Sequence, residues 1–309
     1  MAQKTEDRFL RIIHNIKELP PFLQDIVLHY NLDPSKEKII YIPPQSYPIP
    51  NHFLFINLPY KWRITPYRLL VFKELALTII SVTSEKSTEY INIPIRSIID
   101  AIFSTQLLYA YLLLRWEDEK GLQEKRIEYN TVGELFIRNA FSAFWQLKIK
   151  QSLLHSDNIQ PCSVHKIQAD LSSKPIPIKF SNYLHYSCLP EEQAHLAIFQ
   201  PIVRGKSFFK PIISPPRMTI ITDRQIIFLE EELGYASQYS IIIHYCPFDS
   251  IKQIEIHPDE QYIWITFVMG KNYSSITKTI PLFEAGSNYF INSLKQLSLD
   301  LIMTDVVHQ

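Results

Sequence analysis

Histidine and cysteine stand close together at two places in the chain, as His185-Tyr-Ser-Cys188 and His244-Tyr-Cys246. Two imidazoles and two thiolates could close a tetrahedral zinc site. The spacings argue against it, because structural zinc favours CxxC or HxxxH pairs over HxxC and HxC. His185 and Tyr186 also match His29 and Tyr30 of an earlier "LHY", whereas neither cysteine has a counterpart. A packing role for the His-Tyr pair is the better reading, and no metal is expected. Nucleophilic catalysis has no better support: there is no GxSxG, and no cysteine in a papain-like or caspase-like context. With only 6 glycines, neither GxGxxG nor GxxxxGK[ST] occurs, so no phosphate-cradling loop is available. The carboxylate runs "WEDEK" (116 to 120) and "LEEEL" (229 to 233) fall where hairpin turns are expected, and read as solvated tips. No catalytic residue and no cofactor follow, and the expectation is a protein that is not an enzyme.

One stretch carries a different chemistry. "QPIVRGKSFFKPIISPPR" (200 to 217) holds Arg204, Lys206, Lys210 and Arg217 with no acid among them, and Phe208 and Phe209 in their midst. Clustered cations beside aromatic rings suit an anionic membrane surface. The corresponding "PQSYPIPNHFLFINLPY" (44 to 60) has no charged residue. These six residues are the candidate ligand-binding set. The plainer alternative is an ordinary strand, in which alternation would turn only one of the two phenylalanines outward.

The elements that must carry this segment show a recurring pattern. "LHYNLDP" (28 to 34) matches "LHYSCLP" (184 to 190), and "RITPYRLLVF" (63 to 72) resembles "MTIITDRQIIFL" (218 to 229). "IPIRSI" (93 to 98) matches "CPFDSI" (246 to 251), and "ELFIRNAFSAFWQL" (134 to 147) matches "EAGSNYFINSLKQL" (284 to 297). The order is kept and the offsets drift only slightly, as loop insertions would make them do, so a duplicated unit is expected. Each unit begins with a short helix; in the first, Phe22, Leu23, Ile26, Val27 and Tyr30 keep helical spacing after Pro20-Pro21. Short Val-, Ile-, Tyr- and Phe-rich runs follow, punctuated by prolines, and a helix closes each unit. Within "RITPYRLLVF" and its partner, the threonine is expected to cap a tight hairpin turn. Ahead of the first unit, Phe9, Ile12, Ile13, Ile16 and Leu19 share one helical face, which predicts a helix docked on a neighbour. The prediction is a mainly β chain with two similar sandwich or barrel domains, each capped by a C-terminal helix. Its divisions are an N-terminal helical segment over 1–30, a first domain over 31–149, a polar linker over 150–179 and a second domain over 180–300.

Three local patterns resemble the bacterial pleckstrin-homology-like (PH-like, GRAM-related) domains, here as a tandem pair. They are Leu32, Pro34 and Glu37 (or Leu189, Glu191 and Glu192) near the first strand; Ile64-Thr65 followed by Arg68-Leu69-Leu70; and Ile93-Pro94 followed by Ser97-Ile98. The second unit departs from them, with Gln225 at the arginine position and Cys246-Pro247 for Ile-Pro. The resemblance implies a binding or scaffolding module that contacts another protein, and places a headgroup-binding loop where residues 204–217 lie. A peripheral membrane adaptor is the alternative, and an enzyme of unknown class a distant third.

Composition bounds the rest. Lys+Arg and Asp+Glu both number 31, so no net field recruits nucleic acid. Cys162, Cys188 and Cys246 are odd in number and read as thiols in a reducing compartment. No signal peptide is visible in "MAQKTEDRFL". The most apolar window, 97 to 116, contains Asp100 and a Ser-Thr-Gln break, and reads as two buried strands turning at residues 104–106 rather than a membrane span. A cytoplasmic location is expected, with the inner membrane face as the alternative.

Overall fold

The computed structural model describes residues 9–53, 56–83, 87–150, 176–205, 211–232, 240–259, 262–296 and 302–305. The chain is mainly β and divides into two units that interleave in sequence. Unit 1 holds residues 1–96, 108–110 and 127–147; unit 2 holds 97–107, 111–126 and 148–309. Most of the expected linker, residues 151–175, lies outside the described residues.

The elements follow one another in two runs. The first comprises β1 (Arg11–Ile13), α1 (Pro21–His29), β2 (Lys38–Ile42), β3 (Ser46–Phe53), β4 (Ile56–Ile64), β5 (Tyr67–Phe72), β6 (Ala76–Val82) and β7 (Thr88–Pro94). A 3-10 turn at Ile95–Ser97 leads into β8 (Ile98–Gln106), β9 (Tyr109–Asp118), β10 (Gly121–Asn130) and α2 (Glu134–Lys150). The second run has α3 (Ile178–Ser187), β11 (Ala194–Gln200), β12 (Val203–Arg204), β13 (Ile212–Ser214), β14 (Arg217–Thr222), β15 (Gln225–Glu230) and β16 (Ser240–Pro247). Another 3-10 turn, Phe248–Ser250, precedes β17 (Ile251–Pro258), β18 (Ile263–Met269), β19 (Ile276–Leu282) and α4 (Glu284–Gln296); β20 (Ile302–Asp305) comes last.

In unit 1, β1-β2-β5-β6-β7 form one sheet, and among the described residues β3 and β4 pair only with each other. Helix α1 opens with Pro21 at its first position, where a missing N–H costs nothing. Its Leu23 and Val27, four residues apart, are fully buried against Ile39, Tyr41, Leu69, Val71 and Ile80 of the sheet. Each such side chain stabilises the unit by roughly 1.5–3 kcal/mol. The helix expected over Phe9 to Leu19 is not formed. Ile12 and Ile13 lie instead in β1, opposite Ile40 and Ile39 of β2, and the helical spacing survives only as a 3-10 turn at Ile16–Glu18. A free sheet edge offers β-branched residues a backbone partner that an isolated short helix lacks.

Seven strands in the order β10-β9-β8-β16-β15-β14-β11 form one sheet, which belongs to unit 2 apart from residues 109–110 and 127–130, and β19-β18-β17-β20 of unit 2 form another. Leu196, Ile198, Ile221, Ile226 and Phe228 of the larger sheet share a core with Ile254, Ile265, Phe267, Ile280 and Leu282 of the smaller, closed by Phe290 and Leu294 of α4. The window 97 to 116 forms two paired segments of this fold, β8 and β9, but the chain turns at Leu107 and Leu108, just beyond the expected triplet. Leu107 adopts φ 46° there. Among the described residues, no helix is long and apolar enough to cross a membrane.

The two threonine segments differ in structure. Residues 217–230 are a true hairpin: β14 pairs with β15, and Thr222 Oγ1 accepts from the N–H of Arg224 (3.2 Å) and Gln225 (3.0 Å), capping the two-residue turn as expected. Residues 63–72 are not a hairpin, because β4 pairs with β3 while β5 pairs with β2 and β6. Thr65 Oγ1 instead accepts from the N–H of Gln45 (2.9 Å). By strand order β5 stands where β14 does, so the textual match of the two segments sets different strands against each other.

Candidate functional site

The described parts of the basic segment include a short two-stranded ribbon. Among the described residues β12 and β13 pair only with each other, Arg204 opposite Ile212, and in sequence they fall between β11 and β14. The N–H of Gly205 donates to Pro211 O (2.8 Å). Arg204 is exposed, as are Ile212 and Ile213 at 40% and 44%, so a cation and two aliphatic side chains of the ribbon reach solvent. Lys206, Phe208, Phe209 and Lys210 lie outside the described residues.

Arg217 belongs to a different environment. It is 5% exposed at the start of β14, directly opposite Glu230 on β15, and its Nε donates to Glu230 Oε1 (2.6 Å). Lys278 Nζ reaches the same oxygen (2.5 Å). Burial by itself would raise the Glu230 carboxyl, yet Lys278 and Arg217 hold it below its ordinary value. A cation neutralised this way gives nothing to an external headgroup. Glu230 likewise departs from the solvated tip expected of "LEEEL", because a residue on β15 facing Arg217 belongs to the sheet.

The interior holds a second charged cluster in unit 2. Asp100 on β8 is fully buried; it accepts from Arg115 Nε (2.8 Å) and Nη2, and from His244 Nε2 (2.7 Å). β8 and β16 are neighbours, which sets Ile102 directly across from His244 and brings Asp100 within reach. Burial pushes the His244 imidazolium down, favouring the neutral ring, while His244 and Arg115 overcome burial to hold the Asp100 carboxyl below the usual range. Cys246 Sγ lies 3.3 Å from the same His244 Nε2. One nitrogen carries one proton, and the carboxylate is closer and charged, so the thiol is left without a base. Burial pushes that thiol well up. The arrangement has the residue types of a cysteine–histidine–aspartate set but neither the separate ring nitrogens nor the solvent access that nucleophilic catalysis needs.

The two His-Cys pairs noted in the sequence lie in different settings. His185 is exposed on α3, Cys188 is half-buried, and Cys246 is sealed in the sheet. Among the described residues, no group of three or more His, Cys, Asp or Glu could hold a metal ion.

Two further features escaped the sequence. Glu117, inside "WEDEK", accepts four backbone N–H bonds from residues 271–274, at 3.1, 2.8, 2.7 and 3.4 Å. These donors hold its carboxyl below the ordinary value, Tyr273 and Asn272 contributing most. In unit 1, a cavity of about 550 Å³ is lined by Pro44, Ile64, Thr65, Pro66, Tyr67, Thr83 and Ser87. Among the described residues its lining has hydroxyls and prolines, which offer hydrogen bonding and apolar contact. A buried aspartate in an apolar strand was the one legible sign of the interior cluster, since such a group requires a partner. The partners come from residues 15 and 144 positions away.

No family model matches the chain, and no curated protein matches it.

Proposed function

We propose that the protein is a non-enzymatic scaffold of two PH-like units that holds another protein. The observation that supports this best is the succession of elements. Residues 38–150 and 194–296 each run through a strand, an excursion ribbon, three strands, a 3-10 turn, three strands and a closing helix. The buried ionised groups Asp100, Arg115, Arg217 and Glu230 of unit 2 are paired with one another inside the sheet, which fits a framework that presents surfaces and edges. Purification from its native cells after mild crosslinking should recover a second protein at a constant ratio to this one. Recovery of the chain without such a companion would refute the scaffold reading.

Exposed Arg204 on a short ribbon with exposed Ile212 and Ile213 favours one second reading, a peripheral adaptor for anionic lipid. Each cation near such a surface contributes about 1 kcal/mol, so Arg204, Lys206 and Lys210 together suffice for weak, salt-sensitive binding. Wild type should pellet with anionic vesicles at low salt, and the triple change of these three residues to Glu should not. Equal behaviour of the two proteins rules the adaptor out.

A further inference from the structure

The pairing of β16 with β8 follows a rule that the chain leaves half used. β16 is the strand just before a 3-10 turn in the second run, and β8 the strand just after one in the first. They pair antiparallel over six registered positions, from Ser240 opposite Gln106 to Tyr245 opposite Ala101. Two strands hold the complementary places. β7 precedes the turn in the first run, and among the described residues β6 is the only strand that pairs with it. β17 follows the turn in the second run, and its outer edge holds β20 over just four parallel positions, Gln253 to Ile256. Parallel ladders are the weaker kind per residue, and a four-residue strand has little to lose.

We infer that a second copy of this chain supplies β7 to the β17 edge, head to tail, and that β20 is the strand that must leave first. The inference rests on reading the two runs as versions of one unit. The turns at Ile95–Ser97 and Phe248–Ser250 set the offset, and transferring the β16·β8 register places Glu89 of one copy opposite His257 of the next, as Ile242 stands opposite Ser104 within the chain. Tyr90 then falls opposite Ile256 and Asn92 opposite Ile254. The acidic Glu89 meets a histidine in this register, a favourable cross-strand pair. β7 has the features that such an added strand needs. Its seven residues pair with β6 without a bulge, its only proline is the last residue, and its Thr88, Glu89 and Tyr90 are exposed. Natural proteins normally blunt such an edge. The transferred contact needs 254–258, and β20 covers 253–256, so the two occupants exclude each other. A copy that adds β7 leaves its own β17 for the next, so the contact is heterologous and propagates.

The test uses full-length chains with Cys162 and Cys188 changed to Ser. Glu89→Cys and His257→Cys proteins, mixed under mild oxidation, should form an interchain disulfide that neither forms alone. Adding Met303→Pro and Thr304→Pro to the His257→Cys chain should speed it roughly tenfold, because adjacent residues point their N–H groups to opposite sides and one of the two prolines must remove a β20 ladder bond. The pair Ser104→Cys and Ile242→Cys in one chain is the internal control and should close intramolecularly. If the control closes and the mixed pair does not, with or without the prolines, the inference is wrong and the two-unit reading stands. Crosslinking of either single variant with itself at the same rate also overturns it. Failure of the control would remove the β8·β16 pairing, and the reading with it.

Discussion

Changing Asp100 to Asn tests the interior of unit 2 most sharply. The substitution keeps the volume and removes one charge. Asp100 is fully buried, and its carboxylate receives three bonds from Arg115 and His244. Arg115 has a side chain only 17% exposed, so the variant strands a guanidinium with little water to solvate it. Breaking a buried pair by removing one partner costs about 3–5 kcal/mol. For a unit of this size that corresponds to a Tm lower by roughly 6–20 °C at pH 7. The double variant Asp100→Asn with Arg115→Met buries no orphaned cation and should recover part of the loss, giving a non-additive cycle. The pH dependence has a definite sign. The folded carboxyl lies below its ordinary 3.8, so its contribution is fully present above that value and disappears as pH falls through the lowered one. Wild type and variant should therefore converge in strong acid. Urea unfolding and thermal melts across pH provide the readout. A variant within about 1 kcal/mol of wild type at pH 7, or a double variant less stable than Asp100→Asn, would refute the buried-pair argument.

Lys148 of α2 is 1% exposed and shares the carboxylate of Asp249 with Lys271, at 2.6 Å each. Burial, with Lys271 beside it, pushes its ammonium from 10.5 down to about 8. Between those values the unfolded chain binds the extra proton, so stability should rise with pH across that window, and Lys148→Met should abolish the rise in melts taken at pH 8 and pH 10. Glu117→Ala should leave the four amides of residues 271–274 without their acceptor; hydrogen exchange at those amides should accelerate while that of β18 and β19 holds. Unchanged exchange would show that the loop does not depend on the carboxylate.

Local spacing determined much of this protein. Proline punctuation and runs of branched and aromatic residues specify the strands, because a pleated surface buried on one or both faces selects those side chains. The start of α1 after Pro20, the pairing of apolar segments over 97–116, and the turn cap at Thr222 are all set within a few residues of one another. Tertiary structure decided what depends on neighbours remote in sequence. Whether Ile12 and Ile13 complete a helix or a sheet depends on the β2 edge about 27 residues on, and the competition between the two is settled by hydrogen-bond partners that periodicity does not count. "ITPYR" and "ITDRQ" read alike, yet β4 finds β3 and β14 finds β15, because the longer ribbon over 46–64 satisfies its own backbone. Arg217 reads as a solvent-facing cation and is in fact half of a buried pair, since only strand register brings Glu230 across from it. Asp100 and His244 are 144 residues apart and meet because β8 and β16 lie side by side. Charge is written in the sequence; whether a charge faces water or a counter-charge is decided by the sheet that forms around it.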